Sequence, residues 1–103
     1  MTKVYAMYRQ PTDPAAFDRY YFATHVPIAK RLPGLAGYEV TRGSVTTPDG
    51  AAAPYYLIAT LSFASRAAVQ AALASPEGAT TVGDLANFAT GGVDVFIADT
   101  GNV

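Results

Sequence analysis

The sequence has no cysteine and no tryptophan, and it contains a single histidine, His25. Without cysteine the chain forms no disulfide, no thiolate nucleophile and no zinc–thiolate or iron–sulfur site. Any mechanism that needs two histidines requires two chains that contribute one each. The imidazole chemistry available to one chain therefore rests on one residue.

Charge is also scarce. Charged residues make up 15% of the 103 residues, and seven basic residues against eight acidic ones give a net charge of −1. No basic surface is available to neutralise a run of phosphates, so we expect no nucleic-acid partner. Half of the residues are apolar, which excludes a disordered tail.

Long apolar runs are absent as well. No stretch approaches the ~20 apolar residues of a membrane span, and no long apolar run follows Lys3 as it does in a signal peptide. We therefore expect a soluble, cytoplasmic protein with no membrane partner, in which residues 1–103 form one domain. A domain this small with so little charge is expected to expose apolar surface, which favours a homo-oligomer.

The first half of the chain predicts a strand and a long helix. Lys3–Arg9 alternates two sets of apolar side chains, as a strand covered on both faces does. Asp13 is a typical N-cap, and the proline after it suits the first helical position. The predicted helix runs over Pro14–Leu32, with a kink at Pro27, which lacks an N–H.

The second half predicts three strands and a helical region in two pieces. In the clearest strand, Tyr55–Phe63, alternation predicts Tyr55 on the same face as Leu57, and Tyr56 on the opposite face. The other predicted elements are a strand over Tyr38–Val45, helical pieces capped by Ser65 and Ser75 that end near Ala74 and Ala86, and a strand over Val93–Ala98.

This order, β-α-β-β-α-β, predicts an α+β fold of the ferredoxin-like type. Such a fold has a four-stranded antiparallel sheet with both helices on one face. The other face is bare, yet the strands carry apolar side chains on both faces. We therefore expect two chains to put their bare faces together in a homodimer.

His25 is the first candidate for chemistry, because an imidazole exchanges protons near neutral pH. Tyr21, four residues earlier, falls on the same side of the predicted helix and is placed to hydrogen-bond a shared ligand. The alternative is a half-buried packing histidine at the boundary between helix and sheet.

The tyrosines and acids complete the candidates. Seven tyrosines as a group favour an aromatic-lined cavity, with core and dimer interface as the alternative. The acids are scattered, no pair has the spacing of a metal site, and solvated surface positions are the simplest interpretation of them. Asp84 is a candidate for holding the second helical region, and Asp94 for facing the cavity.

Two segments of the chain form a pattern that covers nearly its whole length. The first is Phe17-x-x-Tyr20-Tyr21-x-x-x-His25-x-Pro27 with Leu32-Pro33-Gly34-Leu35 and a strand that opens at Tyr38, and the second is Ala72-Leu73-Ala74-Ser75-Pro76-Glu77-Gly78 with Asp84-Leu85-Ala86-Asn87-Phe88-Ala89-Thr90-Gly91-Gly92-Val93. Together they resemble the EthD family. The resemblance implies a dimeric α+β barrel, close to small-molecule enzymes such as polyketide cyclases, cofactor-free monooxygenases and muconolactone-type isomerases. It also places the matching histidine, His25, at a cleft between the long helix and the sheet.

The hypothesis is a cofactor-independent enzyme, an isomerase, cyclase or oxidoreductase, acting on a small hydrophobic carbonyl or aromatic compound. His25 is the proposed acid or base, and Tyr21 orients it or binds the substrate oxygen. No nicotinamide or flavin fingerprint occurs, so no cofactor and no metal are expected. The substrate-binding candidates are Tyr5, Tyr38, Tyr56 and Phe88, with the Ala51–Ala53 loop at the pocket mouth.

Three alternatives stay open at the level of sequence. The same cavity suits a ligand-binding protein without turnover. A haem-binding barrel is the second alternative, with His25 as the axial ligand. A purely structural oligomer is the third.

Overall fold

The computed structural model describes residues 1–103, and its four strands form one antiparallel sheet in the order β2-β3-β1-β4. The helices pack on one face of this sheet, so the predicted ferredoxin-like α+β fold is confirmed. No helix has the length and apolar character needed to span a membrane. The elements are β1 (Thr2–Arg9), α1 (Pro14–Tyr20), a π-helical turn (Tyr21–His25), α2 (Val26–Ala29), β2 (Gly37–Val40), β3 (Tyr55–Phe63), α3 (Arg66–Ala74), α4 (Pro76–Asp84), a 3₁₀ turn (Leu85–Asn87) and β4 (Val93–Asp99).

The π-helical turn interrupts the first helical region where the sequence predicted a kink. The Val26 N–H donates to the carbonyl of Tyr21, five residues earlier. Pro27 follows at once, and because it has no N–H it cannot continue the ordinary ladder of hydrogen bonds. The wider turn absorbs this defect, and such turns are frequent at functional sites. Regular helix ends at Ala29, short of the predicted Leu32.

The predicted helix caps are present. Each cap side chain accepts a hydrogen bond from a backbone N–H three residues later, which satisfies one of the unpaired donors at a helix start. The three pairs are Asp13 with Ala16, Ser65 with Ala68, and Ser75 with Gly78.

The two faces of the sheet differ in what covers them. Even-numbered side chains of β1 point toward the helices and are buried, whereas the odd-numbered ones point to the other face, hereafter the open face. The helix-side core is largely aliphatic and aromatic, and its sheet contribution consists of Val4, Ala6, Tyr8, Leu57, Ala59, Leu61 and Phe63.

A bulge at the start of β3 reverses one prediction. Tyr8 pairs with Leu57 but Arg9 pairs with Tyr55, so β3 has one extra residue at this point. An extra residue moves the preceding side chains to the opposite faces. The prediction for the first two residues of this strand was therefore wrong: Tyr55 lies on the open face, and Tyr56 packs against α1.

The second strand is shorter than predicted. It ends at Val40 rather than Val45. After Val40 the Thr41 hydroxyl accepts the Ile58 N–H that a continuing strand would bond through its backbone. The chain then leaves the sheet through Gly43, whose φ of +77° is a left-handed conformation that favours glycine.

The junction between α3 and α4 depends on Gly78. A Cβ added at this position would lie 2.3 Å from the Ala72 carbonyl oxygen and 2.6 Å from that of Leu73. Gly83, in the same helix, has no atom within 4 Å of the corresponding position. The two glycines of α4 therefore form a matched pair, one in close contact and one in open space.

We predict that Gly78→Ala lowers the free energy of unfolding by about 1–3 kcal/mol because backbone has to shift. Gly83→Ala raises it by about 0.5–1 kcal/mol because alanine has less freedom to lose in a helix. Urea unfolding at a fixed protein concentration measures both. Equal effects of the two substitutions would contradict the close packing at Gly78.

Candidate active site

The only histidine is paired with a carboxylate inside the protein. Nδ1 of His25 lies 2.9 Å from Oδ2 of Asp84. His25 is 3% exposed and Asp84 7% exposed. His25 comes from the π-helical turn and Asp84 is the last residue of α4, so this contact joins the two helical regions over the sheet.

Asp84 accepts hydrogen bonds from three side chains. The Tyr20 hydroxyl donates to Oδ1 at 2.6 Å and the Asn87 amide to the same oxygen at 3.0 Å, while His25 uses the other oxygen. Burial acts to raise the pKa of Asp84, but these bonds favour the carboxylate and the net pKa is lowered. The interpretation of Asp84 as a solvated acid was therefore wrong.

The carboxylate also fixes the state of the imidazole. Burial lowers the pKa of His25, and the bond and charge of Asp84 oppose that effect without cancelling it. The ring is therefore neutral at pH 7, and its proton lies on Nδ1, where it is donated to Asp84. Nε2 makes no hydrogen bond within the chain, and it keeps some accessible surface at a cavity. Its lone pair is therefore free to accept a proton.

A cavity of about 80 Å³ lies between the helices and the sheet, with His25 in its wall. Its lining is apolar except for a few groups, and these carry the chemistry available there. Tyr21 and Tyr38 both line it, and their hydroxyl oxygens lie 2.7 Å apart. Only one hydroxyl of such a pair donates within it, so the other keeps its hydrogen for a ligand.

Tyr8 is a further member of this wall that the sequence analysis missed. It is 1% exposed as a residue and lines the cavity, and its hydroxyl, which makes no hydrogen bond within the chain, keeps some accessible surface there. Burial, with smaller contributions from Tyr38 and Asp84, raises its pKa, so the hydroxyl stays protonated. A buried phenol usually finds a partner, and here the cavity offers the place for one.

Aromatic packing holds the imidazole in position. The ring centroid of Phe88 lies 4.6 Å from that of His25, and the Tyr21 ring lies 5.4 Å from it. Phe88 is buried and supports the ring from behind rather than lining the cavity.

The remaining predicted site residues lie elsewhere. Tyr5 does not line the cavity, because odd-numbered positions of β1 face the open side of the sheet. Tyr56 bonds Asp18 and borders a second, larger cleft, which also includes part of the Ala51–Ala53 loop. Asp94 lies on the open face in an ion pair with Arg9 at 2.8 Å, so the prediction that it faces the cavity was wrong.

The structure brings together no group of three or more histidine or acidic side chains that would hold a metal ion. His25, Tyr21 and Tyr38 do come together, joined by Tyr8 and Asp84. The signal for Asp84 was in the sequence as the spacing Asp84-Leu85-Ala86-Asn87, since residues three apart on a helical turn face the same side.

Comparison with known proteins identifies the family. The EthD domain model matches residues 9–92. The chain belongs to the EthD family. An uncharacterised 11.0 kDa protein from the thcB-thcC intergenic region of Rhodococcus erythropolis is 39% identical over 99 residues, covering 96% of this chain and 94% of that protein.

Solved structures agree with this assignment. The crystal structure of an EthD family protein from Bacillus halodurans has a TM-score of 0.88 at 33% identity, covering 97% of this chain and 98% of that one. At 13% identity, a dimeric ferredoxin-like protein from Thermobifida fusca shares the fold, with a TM-score of 0.70 over 96% of this chain and 90% of that one.

We predict that Asp84→Asn lowers the pKa of His25 further, because the carboxylate is the group that raises it. The carbon-bound imidazole protons of the single histidine give one assignable NMR titration curve. Asp94→Asn removes the same charge on the other face of the sheet and serves as the control. An unchanged curve in Asp84→Asn, or equal shifts in both variants, would contradict the pairing.

Proposed function

We propose that this EthD-family protein is an enzyme that moves a proton on a small hydrophobic carbonyl compound, without a cofactor, with His25 as the general base. The observation that carries the proposal is the buried His25–Asp84 pair, which leaves Nε2 free at an apolar cavity. A base works best when its protonation state and its geometry are both fixed before the substrate arrives. Asp84 supplies both conditions.

Asp84 acts as the positioning residue for this base. Its bond to Nδ1 holds the ring and compensates the positive charge that forms when Nε2 takes a proton. Tyr20 and Asn87 keep the carboxylate ionised and oriented. The lowered pKa of His25 keeps the base unprotonated at neutral pH, at the cost of weaker proton affinity.

The tyrosine hydroxyls are the groups that would stabilise the substrate oxygen. Charge develops on a carbonyl oxygen when the neighbouring carbon loses a proton, and a fixed donor in a dry cavity is worth most at that atom. The free hydrogen of the Tyr21–Tyr38 pair and the unpaired hydroxyl of Tyr8 are such donors. Their pKa values are raised by burial, so they donate without ionising.

The proposed step is a proton transfer that needs no oxidant or reductant. Nε2 of His25 takes a proton from the carbon beside the carbonyl, and the C–H electron pair forms the carbon–carbon double bond of an enolate. The negative charge moves to the oxygen, which the tyrosine hydroxyls hold. The imidazolium then returns the proton to the same or a conjugated carbon, which gives exchange or isomerisation.

The volume of the cavity limits the size of the ligand. A volume of about 80 Å³ is smaller than the ~150 Å³ of an apolar cavity that binds benzene, so a ring-sized ligand requires the mouth to widen. Three exposed apolar side chains that line it offer that path: Leu73, Val82 and Val95, at 42%, 54% and 49% exposed. The volume does not fit haem, so the proposal leaves that alternative aside.

The proposal includes a homodimer through the open face. Phe96 is 58% exposed there and pairs with Tyr5 on β1, and Met7 and Ile58 extend the same face as half-buried apolar side chains on β1 and β3. An exposed aromatic residue on a mixed polar and apolar sheet face is typical of an interface, and Phe96 holds such a position on the edge strand β4. The ferredoxin-like protein from Thermobifida fusca, which shares the fold, is dimeric, and this supports a homodimer here.

We predict that the protein catalyses hydrogen–deuterium exchange beside the carbonyl of 1-indanone or 2-tetralone in D₂O. His25→Gln reduces the exchange rate by about 100- to 10,000-fold, the usual contribution of a general base. Mass spectrometry of the recovered ketone measures the deuterium. Lys30→Gln, an exposed residue beyond α2, is the control and retains the rate.

Two results would overturn this function. A ketone that binds without gaining deuterium favours a ligand-binding protein, the alternative that keeps the same cavity. An exchange rate in His25→Gln equal to that of the wild type shows that His25 is not the base.

We predict that Phe96→Glu halves the mass measured by light scattering at micromolar protein, because a charge buried without a partner in the dimer interface is costly. Val82→Glu places the same charge at an equally exposed apolar position on α4 and leaves the mass unchanged. A wild-type chain that is already a monomer, or a Phe96→Glu protein that stays dimeric, would contradict the interface.

A further inference from the structure

A second cavity, larger than the one at His25, lies apart from it. It measures about 420 Å³ and lies where the β2–β3 hairpin arches beside the first helical region. This volume falls in the range of ~300–1,000 Å³ typical of small-molecule pockets. None of its lining residues carries out the chemistry proposed above, so it needs its own explanation.

The cleft contains one positive charge that has no carboxylate partner. The Arg42 guanidinium lies 4.6 Å above the ring centroid of Phe22, and it forms no ion pair in the chain. An aromatic face orients a guanidinium that lies over it. The N–H donors, which lie in the plane of the guanidinium, stay free to bind a ligand. By contrast, nearby Arg9 is already paired with Asp94 at 2.8 Å.

The single acid of the cleft limits the charge of a ligand. Asp18 lies in the same wall and accepts the Tyr56 hydroxyl at 2.9 and 3.0 Å from its two oxygens. Tyr56 rather than Arg42 is the partner of Asp18, so the guanidinium charge stays available for one carboxylate. A second negative charge on a ligand would meet the repulsion of Asp18 without a second cation to balance it, so a monoanion fits better than a dianion. The aromatic ring of Tyr56 suits an apolar or aromatic ligand body.

Backbone hydrogen bonds fix the shape of the hairpin that borders the cleft. Thr46 and Ala52 form a β-bridge, and the Ala53 N–H donates to the Val45 carbonyl. These bonds hold Ala52 and Ala53 in the cleft wall opposite the helices. This loop was predicted to lie at the mouth of a pocket, and the cleft that it borders is this one.

We propose that this cleft binds a small monoanionic organic carboxylate, with Arg42, held on Phe22, on the carboxylate and the Tyr56 ring against the ligand body. Arg42 is the specificity-determining residue, since it supplies the planar, two-pronged donor that a carboxylate matches. This site is independent of the proton transfer proposed for His25.

The test is an NMR titration of ¹⁵N-labelled protein with benzoate. We expect saturable shifts of backbone amides in residues 41–45 and 52–57, with no movement of the His25 imidazole resonances. Benzamide, which has the same shape without the charge, binds at least fivefold more weakly. Arg42→Gln weakens benzoate by at least fivefold, as expected for a charge-assisted hydrogen bond, and Arg19→Gln on α1 leaves it unchanged.

Three outcomes would overturn the site. Benzoate that causes no saturable shift shows that the cleft does not take a carboxylate. Equal affinity for benzamide, or for benzoate in Arg42→Gln, shows that Arg42 does not select the charge. Shifts centred on His25 show that the carboxylate enters the other cavity.

Discussion

The bond between His25 and Asp84 is the contact on which the candidate active site depends. It joins a turn of the first helical region to the end of α4, two segments 59 residues apart in the chain. A carboxylate buried this deeply is stable only when its hydrogen bonds are made. Tyr20, Asn87 and the imidazole make them, so the structure holds the charge and the charge in turn orients the base.

Other features of the fold position the two residues that form this bond. Pro27 and the π-helical turn set the position of His25 on one side, and the tight approach at Gly78 sets the course of α4 on the other. Phe88 packs directly on the imidazole and limits its rotation. The cavity beyond the ring is lined mainly by apolar side chains, and this low-dielectric surrounding strengthens any electrostatic interaction that His25 makes there.

Much of the fold follows from local patterns in the sequence. Strand alternation, three capping residues and two first-turn prolines predicted the element order and hence the sheet. Two details did not follow, because they depend on pairing between distant segments: the bulge that sends Tyr55 to the open face, and the early end of β2 at Val40. Neither has a signal in its own few residues.

Some residues of the candidate site could likewise be predicted from the sequence, and others could not. His25, Tyr21 and Tyr38 were identified from their residue type and from helix and strand spacing, and the structure brings them together. Asp84 was predicted either to hold the second helical region or to be a solvated surface acid. Its spacing to Asn87 is visible in the sequence, but Tyr20 and His25 come from the first helical region, so only tertiary packing shows that the carboxylate is buried. Tyr8 was one of seven tyrosines, and the sequence offered no means of telling which hydroxyl would be left without a partner. The experiment that tests the account most directly determines the tautomer of His25 in untagged ¹⁵N-labelled protein at pH 7. Long-range proton–nitrogen correlation of the single imidazole should show a neutral ring that is protonated on Nδ1 and unprotonated on Nε2. A proton on Nε2, or a doubly protonated ring, would contradict the pairing with Asp84 and the role of His25 as a base.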